Sequence, residues 1–362
     1  MPVKTLKAIT PQPGRPLYLT ARDAVREAID NGVFTPGEQM PSTKELSEQL
    51  CVSLVTAHRA LQELVSTGVL MRSQGRGTFV HQRYLDRKKT LSDTRVGLIF
   101  HAEASVADYY HSQILEGVRQ AAHHLAVDLV MLRFGEDIRG ECNGYLFVNP
   151  LGEEIDQLLE LSKPKQPIMA VGARVRNKRV SCVDVDNVDL ARQAVGHLVS
   201  LGHKEIAYVG GADELSNSVD RWNGFTAACQ ERGIKVRTEH ILKGISWRLD
   251  EKERLNMIRM LSGPGRPTAV FAAGYYFALD VYGAASTVGM KLPDDFSLVG
   301  VDDPPSAAHL SPPMTTLRQP LVQLGHAAVT ALYEQVQAGR NEPVQRTLWA
   351  ELVIRRSSGP VK

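Results

Sequence analysis

Thr56, His58, Arg59 and Gln62 fall on one face of a stretch with helical periodicity, and Arg72 and Arg76 follow in the run Arg72-Ser-Gln-Gly-Arg-Gly77. Hydroxyl, imidazole, guanidinium and amide groups on a helix face can hydrogen-bond the edges of DNA bases. Two arginines in a turn with two glycines can meet phosphates, because glycine lets the backbone come close while guanidinium supplies the charge. The chemistry is recognition of a polyanion. No bond-making constellation accompanies it: there is no GxGxxG after the first strand of the later α/β region, no P-loop and no GxSxG elbow. Cys51, Cys142, Cys182 and Cys229 stand apart, without a CxxC or a histidine at ligand spacing, and are expected to be reduced, buried thiols. No metal, no cofactor and no enzymatic activity are expected.

Positioning that face requires a small helical scaffold. Leu17, Ala21, Ala24, Val25, Ala28 and Ile29 recur at helical spacing, and Asn31-Gly32 can close the helix. After the turn at Pro36-Gly37, Ser42 and Glu45 form a capping box for a second, short helix with Leu46 and Leu50 on its inner face. Val52 turns the chain, Ser53 caps a third helix, and Val55, Ala60, Leu61, Leu64 and Val65 are its expected inward stripe up to Gly68. Residues 69–71 and 78–80 read as a hairpin, completing a winged helix-turn-helix (α+β). Residues 1–92 hold 13 Lys+Arg against 8 Asp+Glu, leaving 29 against 32 for the remainder, so positive charge gathers on this segment.

The segment PSTKELSEQLCVSLVTAHRALQEL followed by GVLMRSQGRGTFV resembles the DNA-binding domain of GntR-type bacterial transcription regulators. The resemblance implies DNA contacts at Lys44, Thr56, Arg59, Arg76 and Gly77, together with Ser53 and His58, and Arg72 adds charge to the wing. One departure stands out: Leu54 occupies a position where the family usually has arginine. A guanine-reading contact is thereby lost, and a different operator is expected. The domain is placed at residues 15–81, with a polar, charged linker over residues 82–94.

From Arg95 to residue 357 short apolar strands alternate with helices of ten or more residues, the pattern of α/β doubly wound parallel sheets. About 260 residues exceed what one such sheet needs, so a two-lobed clamshell is expected, with a ligand in the crevice. The loops after RVGLIF, EIAYVGG, TAVFAAG and FSLVGVDD are the expected binding loops. The N-terminus carries no long apolar stretch, and the longest one, residues 270–285, is interrupted by Asp280. A cytoplasmic protein with no membrane partner is expected.

The motifs DNVDLARQAVGHLVSLGHKEIAYVGG, SNSVDRWNGFTAACQERG, PTAVFAAGYYFALDVYG, LPDDFSLVGVDD and LSPPMTTLRQP resemble the effector-binding domain of LacI/GalR-type repressors, itself similar to periplasmic sugar receptors. A GntR-type head on such a domain is the layout of arabinose-responsive repressors. By resemblance Arg221 and Asp302 bond ligand hydroxyls, and Tyr109, Tyr110, Trp247 and Gln319 line the cleft. Where the family reads Ala-Asn-Asp this chain has Ala273, Gly274 and Tyr275, which removes an amide and a carboxylate and makes Tyr275 a candidate contact. Only about a dozen residues separate VDLVML from GYLFV, so a crossover helix is expected to be truncated or absent. The expected function is a ligand-responsive regulator, a repressor of sugar or related genes, binding double-stranded operator DNA as a homodimer under control of a sugar-like small molecule. A solute-binding transport or chemosensory protein is the alternative.

Overall fold

In the computed structural model, residues 6, 8–9, 16–66, 68–73, 77–81, 94–101, 105, 107–134, 142–162, 166–245, 247–339 and 342–362 are described. The chain divides into two compact units, Met1–Ser92 and Asp93–Lys362. Arg76 and nearly all of the 82–94 linker lie outside the described residues.

The first unit contains helices α1 (Leu17–Asp30), α2 (Thr43–Leu50) and α3 (Leu54–Ser66), then antiparallel strands β1 (Leu70–Ser73) and β2 (Gly77–Val80). The capping box forms as its residues require: Ser42 Oγ accepts from the Glu45 amide at 3.2 Å, and the Glu45 carboxylate accepts from the Ser42 amide at 2.7 Å. Such a cap stabilises a helix by about 1 kcal/mol. The tight turn to α3 is made by Cys51, left-handed at φ 53°, rather than by Val52. This position closes a short helix at the surface, so the Cys51 thiol is exposed, against expectation, while the other three cysteines are buried.

Helix α3 buries Ala57, Ala60, Leu61 and Leu64, but not Val55, which is 78% exposed. Val55 lies nine positions from Leu64, about two and a half turns, and so points to the opposite side. Its hydrophobic type misled the stripe, and small Ala57 fills the inward place. The core adds Leu46, Leu50, Phe34, Val69 and Val80. The wing gains a short third segment: Met40 N donates to Thr78 O at 2.8 Å and Val80 N to Glu38 O at 2.9 Å.

The second unit has two lobes. The first holds β3 (Arg95–Phe100), α4 (Tyr109–His124), β4 (Asp128–Arg133), β5 (Gly144–Val148), α5 (Gly152–Leu161), β6 (Ile168–Val171) and β7 (Val180–Val185). The second holds α6 (Asn187–Ser200), β8 (Ile206–Gly210), α7 (Ser216–Glu231), β9 (Ile241–Lys243), α8 (Glu251–Ser262), β10 (Ala269–Ala272), α9 (Tyr275–Val288), β11 (Ser297–Val301) and β12 (Thr315–Arg318). The chain then returns α10 (Leu321–Ala338) and β13 (Gln345–Leu348) to the first lobe, and β14 (Glu351–Val353) to the second. The lobes are joined at Asp186, at Gln319-Pro320 and at Trp349-Ala350.

The sheet orders are β4-β3-β5-β6-β7-β13 and β9-β8-β10-β11-β12-β14. Every pair is parallel except β12 with β14, an antiparallel edge the strand pattern did not disclose. Central strands such as β5, β8 and β11 are buried along their whole length, which is why they read as unbroken apolar runs. In the first lobe α10 lies against α4 so closely that a Cβ at Gly117 would strike the Val322 carbonyl, and one at Gly325 the Ile114 carbonyl. No helix is described between β4 and β5. Residues 135–141, where the shortened crossover was expected, lie outside the described residues.

Candidate functional site

In both sheets the strand order reverses, between β3 and β5 in one lobe and between β8 and β10 in the other. Loops diverging at such a point leave a crevice. A cavity of about 660 Å³ lies there, lined by all seven cleft residues expected from sequence: Tyr109, Tyr110, Arg221, Trp247, Tyr275, Asp302 and Gln319. The loop after β8 does not itself line it. That strand contributes instead through α7, whose Asn217 and Arg221 face the cavity.

Arg221 is only 3% exposed and is held by three acceptors. Its Nε donates to Asn187 Oδ1 at 2.8 Å, Nη1 to the Ala273 carbonyl at 2.8 Å, and Nη2 to Gln319 Oε1 at 3.4 Å. Gln319 Nε2 in turn donates to Asp302 Oδ1 at 2.6 Å. The Ala273 carbonyl precedes the Gly274-Tyr275 departure, so the backbone there still anchors the guanidinium. Asp302, directly after β11, is in a left-handed conformation, φ 71°, a strained geometry of the kind kept where side-chain aim matters. Burial pushes its carboxyl up from the usual range while Arg221 pulls the other way. Behind this chain Asp184 accepts from Asn187 Nδ2 at 3.3 Å, and burial pushes its carboxyl up to about 7.

The opposite wall was missed by sequence reasoning. Asp108 caps α4, and its two carboxylate oxygens lie 2.8 Å from His111 Nδ1. Burial opposes ionisation of Asp108, but its bonds with His111 prevail and hold the carboxyl below the usual range. Nε2 of the 5%-exposed His111, the ring nitrogen turned away from that carboxylate, is buried with no partner among the described residues. Asn217, 2% exposed, donates through Nδ2 to Asn149 Oδ1 at 3.2 Å and to the Gly172 carbonyl at 3.1 Å, which leaves its Oδ1 likewise unpaired. Two unpaired buried polar atoms, with the Asp302 carboxylate, suit a ligand that presents several hydrogen-bonding groups. The spacing of Asp108 and His111 reads in sequence only as a helix cap, and Asn217 carried no signal beyond its motif.

Aromatic groups furnish the rest. Tyr275 Oη lies 2.6 Å from Ser306 Oγ, and the Arg248 guanidinium sits 4.7 Å from the centre of the Tyr276 ring. Tyr109, Tyr110 and Trp247 add three more ring faces to the cavity. Such faces pack on the apolar side of a ring-shaped ligand.

In the first unit Lys44, Arg59, Gln62 and Arg72 are exposed, and Thr56 and His58 are half-buried. Ser53 Oγ accepts from the Thr56 amide at 3.1 Å and lies 2.8 Å from Thr56 Oγ1, so each hydroxyl already has a partner. The Arg59 guanidinium stacks 4.0 Å from the Tyr18 ring centre. His58 and Arg72 border a hollow of about 300 Å³ with Gln62 and Thr78. Gly77, at φ 113°, packs on Gln39, whose Nε2 would lie 2.7 Å from an added Cβ. Among the described residues no cluster could hold a metal ion, and no helix is long and apolar enough to cross a membrane.

Residues 17–80 match the bacterial regulatory proteins of the gntR family, and residues 195–358 match the periplasmic binding protein-like domain. The arabinose metabolism transcriptional repressor of Geobacillus stearothermophilus is 27% identical over 366 residues, covering 95% of this chain and 98% of that protein. The HTH-type transcriptional repressor PurR of Escherichia coli is 29% identical over 283 residues, covering 74% and 81%. The crystal structure of a regulatory protein of LacI family from Chloroflexus aggregans superposes with a TM-score of 0.65 at 25% identity, covering 74% of this chain and 99% of that one.

Proposed function

This chain belongs with the bacterial regulators that join a gntR-type DNA-binding head to a LacI-type, periplasmic binding protein-like effector domain, and from that premise we propose how its two units work together. It is a ligand-responsive DNA-binding transcription regulator. In the proposal it acts in the cytoplasm as a repressor of sugar or related genes, and Lys44, Ser53, Thr56, His58, Arg59, Arg72, Arg76 and Gly77 contact operator DNA. One winged helix reaches few base edges, so two heads of a homodimer read a palindrome.

The observation that carries the effector half is the hydrogen-bonded chain Asn187–Arg221–Gln319–Asp302, which runs along the cavity beside the crossovers at Asp186 and Gln319-Pro320. A ligand bonded there is sensed where the lobes are joined. Its differential affinity for two lobe arrangements, a few kcal/mol, suffices to shift operator occupancy substantially. The two unpaired polar atoms and the aromatic walls support a ring compound bearing hydroxyl or amino groups, and sugars fit that description.

The test has two arms. Gel shifts with DNA upstream of neighbouring genes, at several salt concentrations, should give a specific complex, and a thermal-shift screen of sugars should find a stabilising compound that alters it. Ligand binding without any affinity for DNA at low salt would favour the solute-binding alternative and sink the regulator mechanism.

A further inference from the structure

Leu54 and Val55 open α3 with 55% and 78% of their surface exposed, adjacent large apolar side chains outside the core of the first unit. The inward face of α3 is already filled by Ala57, Ala60, Leu61 and Leu64. On the outward side the two neighbour His58, Arg59 and Gln62, one turn or two further along the helix. Of these helix neighbours Arg59 is cationic and Gln62 polar, both exposed, and Lys44 and Arg72 of the same unit are exposed as well. The two hydroxyls best placed to read a base, Ser53 and Thr56, are engaged with each other at 2.8 Å. At the leading end of the helix, then, the groups that project are hydrocarbon.

Resting on the DNA-binding reading above, we propose that Leu54 and Val55 form an apolar reader of thymine methyl groups in the major groove. In that groove the only apolar feature a base edge offers is the thymine C5-methyl, and aliphatic side chains recognise it by contact. The polar and cationic helix neighbours of the pair, His58, Arg59 and Gln62, match a phosphate-rimmed groove and not an apolar protein partner. Arg59, stacked on Tyr18, stands one turn along the same helix from Val55. Specificity at these positions is thus for an A·T pair read from the thymine side, where an arginine would select guanine.

The experiment selects binding sites from random duplex DNA with the full chain, then rebuilds the best site with deoxyuridine in place of each thymine, which removes only the methyl. Affinity is expected to fall about fourfold at one or two positions in each half-site, the equivalent of one buried methyl group. Leu54→Ala and Val55→Ala, both at exposed helical positions, should bind thymine and uracil sites alike. Leu54→Arg should move the selected base at that position towards guanine. A selected site whose uracil forms all bind the native chain equally would overturn the thymine reading while leaving DNA binding intact. Failure to select any sequence at low salt would overturn the DNA-binding reading and this proposal with it. Loss of uracil discrimination only in variants that also change oligomeric state would assign the pair to a protein contact and overturn the proposal.

Discussion

The side chain of Arg174, on the loop after β6, clasps the carboxylate of Asp220 on α7, so that an ion pair ties the first lobe to the second, with Nε 2.9 Å from Oδ2. The Arg174 amide adds a second tie to Ser216 Oγ at 2.9 Å, and Asn217 reaches back to Asn149 and Gly172. These contacts favour the arrangement in which the lobes are drawn together. Arg174 is half exposed, so the pair contributes about 1 kcal/mol or less. Replacing Arg174 by alanine leaves the buried Asp220 carboxylate without that partner and is expected to weaken effector binding by up to about fivefold, with a small loss of fold stability beside it. Calorimetric titration beside a thermal melt measures both, and an unchanged affinity would show that the clasp does not couple to the ligand.

Arg221 predicts a larger effect, because every acceptor around it is buried. Arg221→Ala leaves Asn187 Oδ1, the Ala273 carbonyl and Gln319 Oε1 without their donor. Orphaned buried polar groups cost about 1–3 kcal/mol each when water cannot reach them. The variant should lose several degrees in melting temperature and at least tenfold in effector affinity. Arg221→Lys should recover little, since one ammonium cannot span three divergent acceptors as a planar guanidinium does. Melting curves together with the effector's influence on a gel shift distinguish a damaged cavity from a damaged fold.

Asp184 gives the molecule a pH dependence with a definite sign. Burial pushes its carboxyl up to about 7, against 3.8 for the ordinary group. Between those values the folded chain holds a proton the unfolded chain has released, so this residue's contribution is complete below about pH 4 and fades as pH rises through 7. A shift of that size corresponds to an upper bound on the order of 4 kcal/mol. Asp184→Asn, which keeps the proton-bearing shape, should flatten the decline in unfolding free energy between pH 5 and 8. Denaturant titrations of the full chain at several pH values test this, and parallel profiles for both proteins would remove Asp184 from the account.

The parts legible in the sequence are those set by local pattern. The Ser42 and Glu45 box, the stop at Gly68 and the apolar strands were all readable, because capping and periodicity act over a few residues. Tyr109 and Gln319, some 210 residues apart, both line the one cavity where the family resemblance put them. What could not be read depends on pairings distant in the chain. The antiparallel place of β14 is decided by the return of α10 and β13 to the first lobe, and the role of His111 by which atoms stand near its second nitrogen. Val55 shows the opposite failure: its residue type suggested the core, while its angular position on α3 put it outside.

Lys44 and Arg59 should behave differently in DNA binding. Lys44 is exposed in the first turn of the short helix α2, with an ammonium that acts as a point charge, whereas Arg59 is steadied by the Tyr18 ring. If Lys44 neutralises one phosphate, Lys44→Ala removes about one released counterion. The plot of log affinity against log salt should then become shallower by about 0.9 for each head bound, with base preference unaltered. Arg59→Ala also forfeits the stacking that orders the helix face, so it should lower affinity at every salt concentration and blur preference at neighbouring bases. Salt titrations of both variants on one selected site separate the two roles. Equal slopes for the native chain and Lys44→Ala would place that ammonium away from the phosphates, whatever its effect on affinity.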